Sequence, residues 1–387
     1  MSHHHSHITS AIKIIETINP GEPLVHHLKK CFAANKKFGS KDRKSISSLC
    51  YNFYRIGNAL KNKTTEERIL AATFLCNNTS SDLLATLAPD LNEKIKLNLE
   101  KKCTFLGIDT SHIFPFENEL GEGINKIAFT LSFLKQPLFF VRIRPQSMEN
   151  ALVKLIEEKV AFEEISTSCL ALPQGTKLEE LFLLNKEVVV QDRNSQQVFN
   201  YLQKPEVFLA KDSVVWDCCA ASGGKSILLY DMLHGHVDLY VSDVRAHMLN
   251  NLRTRFKEAS IKNYHAFRTD LINDAEAFPE KKYDIIVCDA PCTGSGTWAR
   301  TPEQLAFFNP KKIAEFVSMQ KTIASTAIKS LKEKGLFFYI TCSAFKKENE
   351  EVVLYLKEKF HLQVLEMEYL KGYDVQADTM FVAVLSF

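Results

Sequence analysis

From residue 213 onward, short apolar runs alternate with amphipathic stretches so regularly that few architectures can hold them. Residues 214–217, 239–241, 264–267, 285–288 and 336–340 read as strands bounded by turn residues. Residues 225–233, 248–259, 311–331 and 349–359 read as helices between them, and a last pair of strands fits 362–365 and 381–385. Alternating β-α units predict a largely parallel sheet with helices on both faces. In such a sheet ligands bind beyond the carboxyl ends of the strands. Those ends are where this chain places its reactive side chains.

Three loops follow strands in that pattern. After 285–288 comes Asp289-Ala290-Pro291-Cys292-Thr293-Gly294-Ser295-Gly296, an acid and a thiol side by side. After 336–340 comes Thr341-Cys342-Ser343. After 214–217 comes Cys218-Cys219-Ala220-Ala221-Ser222-Gly223-Gly224-Lys225-Ser226, whose small residues let backbone approach a ligand and whose helix start offers free N–H groups. A phosphate-cradling loop needs a glycine six positions before the lysine, and Cys219 stands there. A dinucleotide fingerprint needs GxGxxG, which is absent. The remaining class is a loop whose backbone holds the methionine part of S-adenosylmethionine. Asp243 and Asp270 end the next two strands, placed for ribose hydroxyls and adenine. One such acid is as a rule a helix cap, but three at successive strand ends beside a glycine loop point to a ligand.

The chain ahead of this region has a different texture. With 387 residues, two or three domains are expected. Residues 40–60 predict a helix capped by Ser40, 65–76 a second with acids in its first turn, and 81–87 a third. Residues 1–130 are therefore expected to be a small helical domain. Residues 138–145 read as a strand stopped by proline, 148–159 as an amphipathic helix, 169–172 and 188–192 as short strands. That pattern predicts a small α+β module over 131–205, before the α/β domain at 206–387.

Composition bounds the function classes. Hydrophobic residues at 45% and charged residues at 24% suit a soluble globular chain. The formal charge is only +2, yet residues 26–68 hold eleven Lys/Arg against three Asp/Glu, with Lys36, Lys37, Lys41 and Lys44 at its centre. This basic island is either a solvated face or a surface for phosphate backbones. The ten cysteines form no CxxC pair and no Cys/His cluster by spacing, so no metal is expected and most thiols are expected free. No run reaches the length of a membrane span, and the start lacks the apolar core of a secretory signal, so a cytoplasmic monomer away from membranes is expected. The His-rich start, His3-His4-His5-Ser6-His7, is expected to be disordered.

These motifs resemble the RNA cytosine-5 methyltransferases of the Sun (Fmu) family. The pattern Asp-x-Cys-Ala-Ala-Pro-Gly-Gly-Lys-Thr/Ser is matched from Asp217 to Ser226, with Ser222 replacing proline. Asp-Ala-Pro-Cys-x-Gly-x-Gly is matched from Asp289 to Gly296. Thr-Cys-Ser followed by Glu-Asn-Glu is matched by Thr341-Cys342-Ser343 and Glu348-Asn349-Glu350. Gln191-Asp192 with Ser195 is similar to the element leading into the catalytic domain. The resemblance implies a class I methyltransferase domain with a seven-stranded sheet, a middle module like the family's RNA-recognition-like insert, and an N-terminal domain similar to NusB-like domains of ribosomal members.

The resemblance also implies roles. S-adenosylmethionine would lie against Cys219, Ala220, Ala221, Ser222, Gly223, Gly224, Lys225, Asp243, Asp270 and Asp289. Cys342 would add to carbon 6 of a cytosine, Asp289 would hold its N3/N4 edge, Lys225 would favour the thiolate, and Cys292 would assist product release. DNA cytosine-5 enzymes assign the attack to their Pro-Cys cysteine, which here is Cys292. The Thr341-Cys342 pair favours the RNA-type assignment. The implied substrate is RNA, 16S rRNA first and tRNA second, with the target base unstacked. An idle RNA-binding assembly factor keeps the same fold as the rival reading.

Overall fold

The computed structural model describes residues 3–273 and 281–387. The chain folds into two compact units. The first comprises residues up to 120, 124–137 and 297–310; the second comprises 121–123, 138–296 and 311–387.

The first unit is helical: α1 (His3–Thr17), α2 (Leu24–Ala34), α3 (Ser40–Arg55), α4 (Thr65–Cys76), α5 (Asp82–Leu87), α6 (Pro89–Glu93), α7 (Leu99–Phe105) and α8 (Lys126–Ser132). Helix α4 starts on a reciprocal capping box between Thr64 and Glu67, and Ser81 caps α5 through the N–H of Leu84. Three expectations are corrected here. The His-rich start is the first turn and a half of α1, because Ile8, Ala11 and Ile14 bury against α3 and His7 reaches Asp42 at 3.0 Å. Ser40 lies inside α3; the Asp42 carboxylate accepts the Gly39 N–H at 3.0 Å and so closes that end. Helix α3 also stops at Arg55, and Leu60 sits beyond it with a left-handed φ of 56°.

Arg55 is 1% exposed, and its guanidinium donates to the carbonyls of Phe133, Lys135 and Ala299 at 3.1, 3.1 and 2.7 Å. Residues 297–310 thus complete this unit although they follow Gly296 directly in sequence. Trp298 is buried with the rings of Phe114, Phe116 and Phe308, and the Glu303 carboxylate accepts the Leu24 N–H at 3.0 Å.

The second unit holds two sheets. Strands β1 (Phe139–Ile143), β2 (Glu163–Ser166), β3 (Cys169–Leu172) and β4 (Val188–Val190) form a four-stranded antiparallel sheet in the order β2-β3-β1-β4. Helices α9 (Met148–Glu157) and α10 (Leu178–Leu181) accompany it, and Val141, Ile143, Leu155, Leu170 and Phe182 form its core. Strand β2 was not foreseen: it exposes three of its four residues, so it carries no apolar alternation to read.

The second sheet has seven strands: β5 (Ser213–Asp217), β6 (Val237–Asp243), β7 (His265–Arg268), β8 (Tyr283–Asp289), β9 (Leu331–Thr341), β10 (Gln363–Leu370) and β11 (Met380–Ser386). Their order is β10-β11-β9-β8-β5-β6-β7. Pairing is parallel from β9 to β7, while β11 runs antiparallel to both its neighbours. Helices α11 (Gly224–Met232), α12 (Ala246–Glu258), α14 (Lys311–Ile328) and α15 (Glu350–Phe360) belong to this sheet, and α13 (Pro302–Phe307) to the helical unit. One core, including Val215, Ile227, Leu252, Phe256 and Phe338, covers one face; the other, including Trp216, Ile286, Ala324, Phe337 and Val352, covers the opposite face. This alternation of neighbouring residues between two buried faces explains why the strands read as continuous apolar runs. No helix among the described residues is long and apolar enough to cross a membrane.

Candidate active site

Parallel pairing in register brings the three loops together. Asp217 is level with Val287, and Asp289 with Ile340, so β5, β8 and β9 end side by side. Two backbone bonds tie the last two loops to one another: the Ala290 N–H donates to Ile340 O and the Gly296 N–H to Cys342 O, both at 2.9 Å. Gly296 is required at that crossing, since a Cβ there would lie 1.9 Å from the Thr379 carbonyl oxygen. The Sγ atoms of Cys292 and Cys342 consequently stand 3.3 Å apart. The adjacent Cys342 sulfur, together with burial, raises the Cys292 thiol well above its ordinary range.

Lys225 reaches across from the first turn of α11 and donates to Asp289 Oδ2 at 2.6 Å. Burial lowers the pKa of this ammonium, but the Asp289 carboxylate outweighs it and leaves the lysine pKa raised. Asp217, 2% exposed at the end of β5, accepts from Ser226 Oγ at 2.6 Å through Oδ2, while its Oδ1 is buried without a partner. Burial pushes its pKa up to about 7, the Ser226 bond only partly opposing.

Two cavities meet at this point. One of about 530 Å³ is lined by Cys219, Ala221, Asp243, Asp270, Asp289, Cys292 and Cys342, with Leu271, Ile272, Met319 and Ile323 as apolar walls. The other, about 330 Å³, is lined by Asp217, Ala220, Ala221, Ser222, Gly224, Lys225, Asp289 and Cys342, and closed by Asp192 and Asp378. Ala221, Asp289 and Cys342 face both. Gly223 lines neither; it turns the chain into α11 with φ of 82°, and a Cβ there would press on the Phe256 ring at 2.7 Å.

The acids at the strand ends differ in their freedom. Asp243 accepts from the Ala221 N–H at 3.0 Å and from the Arg245 backbone and guanidinium at 2.8–3.0 Å. Burial would raise its pKa, yet the Arg245 bonds win and hold it low. Asp270 accepts the N–H groups of Ile272 and Asn273, which lowers its pKa together with the Asn273 side chain. Both acids therefore cap local turns and line the larger cavity at once.

In the sequence Glu348 and Asn349 stand only as part of a motif; the structure makes them the frame of the site. Glu348 is fully buried and accepts from the Thr293 N–H at 2.9 Å, from the hydroxyls of Thr293 and Ser343, and from Gln320 Nε2 at 2.9 Å. Asn349 accepts from Thr341 Oγ1 and donates to Ser343 O at 2.8 Å. An acid just ahead of α15 was the signal available in the sequence; its burial was not. Gln191 and Asp192 serve a related purpose: Gln191 accepts from Arg142 Nε at 2.9 Å, and Asp192 accepts the Asp378 N–H at 3.1 Å. The first bond stays within the four-stranded module, and the second joins that module to the larger sheet. Spacing also concealed the grouping of Cys218, Cys219 and Cys288, whose sulfurs lie within 4.8 Å of one another because β5 and β8 are neighbours.

Residues 207–383 match a family model described as 16S rRNA methyltransferase RsmB/F. A probable ribosomal RNA small subunit methyltransferase B of Bacillus subtilis is 27% identical over 190 residues, 49% of this chain and 41% of that protein. The human tRNA (cytosine(72)-C(5))-methyltransferase NSUN6 is 26% identical over 157 residues, 38% of this chain and 33% of that protein. The matches thus span less than half of either relative. The crystal structure of PH0851 superposes over 98% of both chains with a TM-score of 0.72 at 19% identity, which establishes the shared fold. Motifs, sheet order and family match agree: residues 207–383 of this chain form a methyltransferase domain of the RsmB/F branch of the Sun family.

Proposed function

We propose that this protein transfers a methyl group from S-adenosylmethionine to carbon 5 of a cytosine in RNA, through a covalent bond between Cys342 and carbon 6. The observation that carries this reading is the position of Cys342. It stands where the two cavities meet, 3.3 Å from a second thiol and beside an acid–lysine pair.

The larger cavity suits the methyl donor. Its apolar walls accept a purine face, Asp243 and Asp270 offer carboxylates for hydroxyl and amine groups, and the backbone of Cys219 to Ala221 passes its edge. When bound there, S-adenosylmethionine supplies an electrophilic methyl group. The smaller cavity suits a cytosine: Asp289 faces its N3/N4 edge, and Lys225 compensates the charge that gathers as the ring is attacked. Carbon 5 of free cytosine is a poor nucleophile; addition of the Cys342 thiolate to carbon 6 turns the ring into an enamine that attacks through carbon 5. Loss of the carbon-5 proton then expels the thiolate, and Cys292 is close enough to assist that departure.

The substrate of this reading is 16S rRNA, after the RsmB/F domain match; the likeness to NSUN6 makes tRNA the second reading. Residues 1–130, with their basic island, and the module at 131–205 act in it as RNA-binding parts of a cytoplasmic monomer, the first NusB-like and the second RNA-recognition-like.

Two experiments test it. Bisulfite sequencing of RNA from cells with and without the protein should reveal one or more cytosines that lose protection, and an unchanged map would leave the idle assembly factor. With purified protein and substrate RNA, Cys342→Ala should abolish turnover, by roughly 10⁴-fold or more, and form no adduct. Cys292→Ala should accumulate a protein–RNA adduct. An adduct trapped on Cys342→Ala would transfer the attack to Cys292.

A further inference from the structure

A third cavity, of about 640 Å³, opens in the second unit where the four-stranded module borders the larger sheet. It shares no lining residue with the two cavities at Cys342. Its floor is Arg142 of β1, 3% exposed. The guanidinium donates through Nε to Gln191 at 2.9 Å and through Nη1 to Asp231 at 2.7 Å, while Nη2 is buried with no partner. Arg193, on another wall, has a buried Nε that is likewise unpartnered.

A buried N–H of a charged group left without an acceptor costs more than about 1–3 kcal/mol, so two on residues that line one cavity call for an explanation. The cavity supplies no anion to answer them. Asp231 is the one acid among its lining residues, and both its oxygens are also engaged by Arg144, at 2.6 and 3.1 Å. The rim is open, with Ser166, Thr167, Gln203 and His234 exposed. Its walls include apolar stretches from Ile165, Leu202 and Leu233. An anionic group with a flat, polar-edged body fits these features. The volume lies within the range of small-molecule sites.

We propose that this cavity binds a phosphorylated nucleotide, its phosphate facing the guanidinium groups of Arg142 and Arg193, and that the nucleotide is one flanking the target in the substrate RNA. The second half of the proposal rests on RNA being the substrate. The phosphate contact positions the strand; it takes no part in the bond changes at Cys342, so its loss appears in binding.

The test uses the full chain with Arg193→Ala and Arg193→Glu, which leave the Arg142–Asp231 pair intact, and Thr167→Glu, which puts a competing anion on the exposed rim. Single-stranded substrate RNA is titrated over a salt series and assayed for methyl transfer, and cytidine 5′-monophosphate is titrated alone as the free-nucleotide arm. Arg193→Ala should lower the salt slope of RNA binding by about one and raise KM about 10-fold, with kcat within about twofold, as loss of one charge-assisted bond predicts. Arg193→Glu and Thr167→Glu should weaken binding further. KM and salt slope equal to wild type in both Glu variants would overturn the proposal while leaving the methyltransferase reading intact. Should the wild-type chain bind no RNA, that reading fails instead. The cavity is then retained if Arg193→Glu loses the monophosphate, and rejected if the monophosphate binds equally to both or to neither.

Discussion

The loop after β5 and the paired loops after β8 and β9 face the same two cavities but are built on opposite plans. The paired loops are over-determined. Glu348, Asn349 and Gln320 hold Thr293, Ser343 and Thr341 in a closed set of bonds, and Gly296 welds one loop to the backbone of the other. The loop after β5 is held more lightly, by the Asp243 carboxylate on Ala221, by Arg255 on Ser222 and by Ser226 on Asp217. It leaves a buried carboxylate oxygen unanswered at Asp217. The contrast follows from what each must do. Two sulfurs and a carboxylate that act on one ring must keep a fixed spacing, whereas the loop after β5 is shaped by its own backbone, the N–H groups of Cys218, Ala220 and Gly223 donating to the carbonyls of Val287, Ser242 and Ala220.

The link between the two plans, Lys225 to Asp289, offers the largest effect. Lys225→Met should lower kcat by about 10²–10³-fold, the scale of losing one preorganised electrostatic group, with thermal stability little changed. Methyl incorporation at saturating RNA reads it, and a kcat equal to wild type would mean that Asp289 works without its lysine.

A second change attacks the rigid side. Glu348→Ala strands the Thr293 N–H and the Gln320 amide in a fully buried site, so unfolding free energy should fall by about 3 kcal/mol in denaturant titrations. Glu348→Gln should cost less, since its oxygen can face those N–H groups while the two hydroxyls rotate to accept from its amide. If both variants lose the same stability, the network is not what holds the loops.

The smallest effect probes the lightly held side. Asp217 is protonated more readily folded, with a pKa of about 7, than unfolded, near 3.9. The raised folded value favours the folded state fully below about pH 4, and this support is lost as pH rises through about 7. Asp217→Asn should therefore flatten the decline in thermal midpoint between those limits. A parallel decline in the variant would assign the pH dependence to other groups.

Much of this was legible in the sequence because parallel strands buried on two faces leave continuous apolar runs, and the turn residues after them mark the sheet edge. The strands at 214–217 and 285–288 are legible this way, and so are the glycine loop and both cysteines. The His-rich first turns of α1 read as a disordered end because histidines give no apolar signal, although Ile8, Ala11 and Ile14 just beyond carry the buried stripe. Residues 297–310 fall inside the α/β domain expected at 206–387, since nothing local shows that Trp298 completes a distant aromatic cluster.

The sequence alone determined which chemistry is available: two thiols, an acid and a lysine at the ends of successive strands, a short-range pattern fixed by side-chain periodicity. Only the tertiary structure decided their separations, the partners of Asp217 and Asp243, and the role of Glu348. Strand register and buried hydrogen bonding set these, and both join residues tens of positions apart in the chain. The arginine-floored cavity belongs to the same class. Arg142 and Arg193 are unremarkable in sequence, and only folding buries their donors and leaves them unpaired.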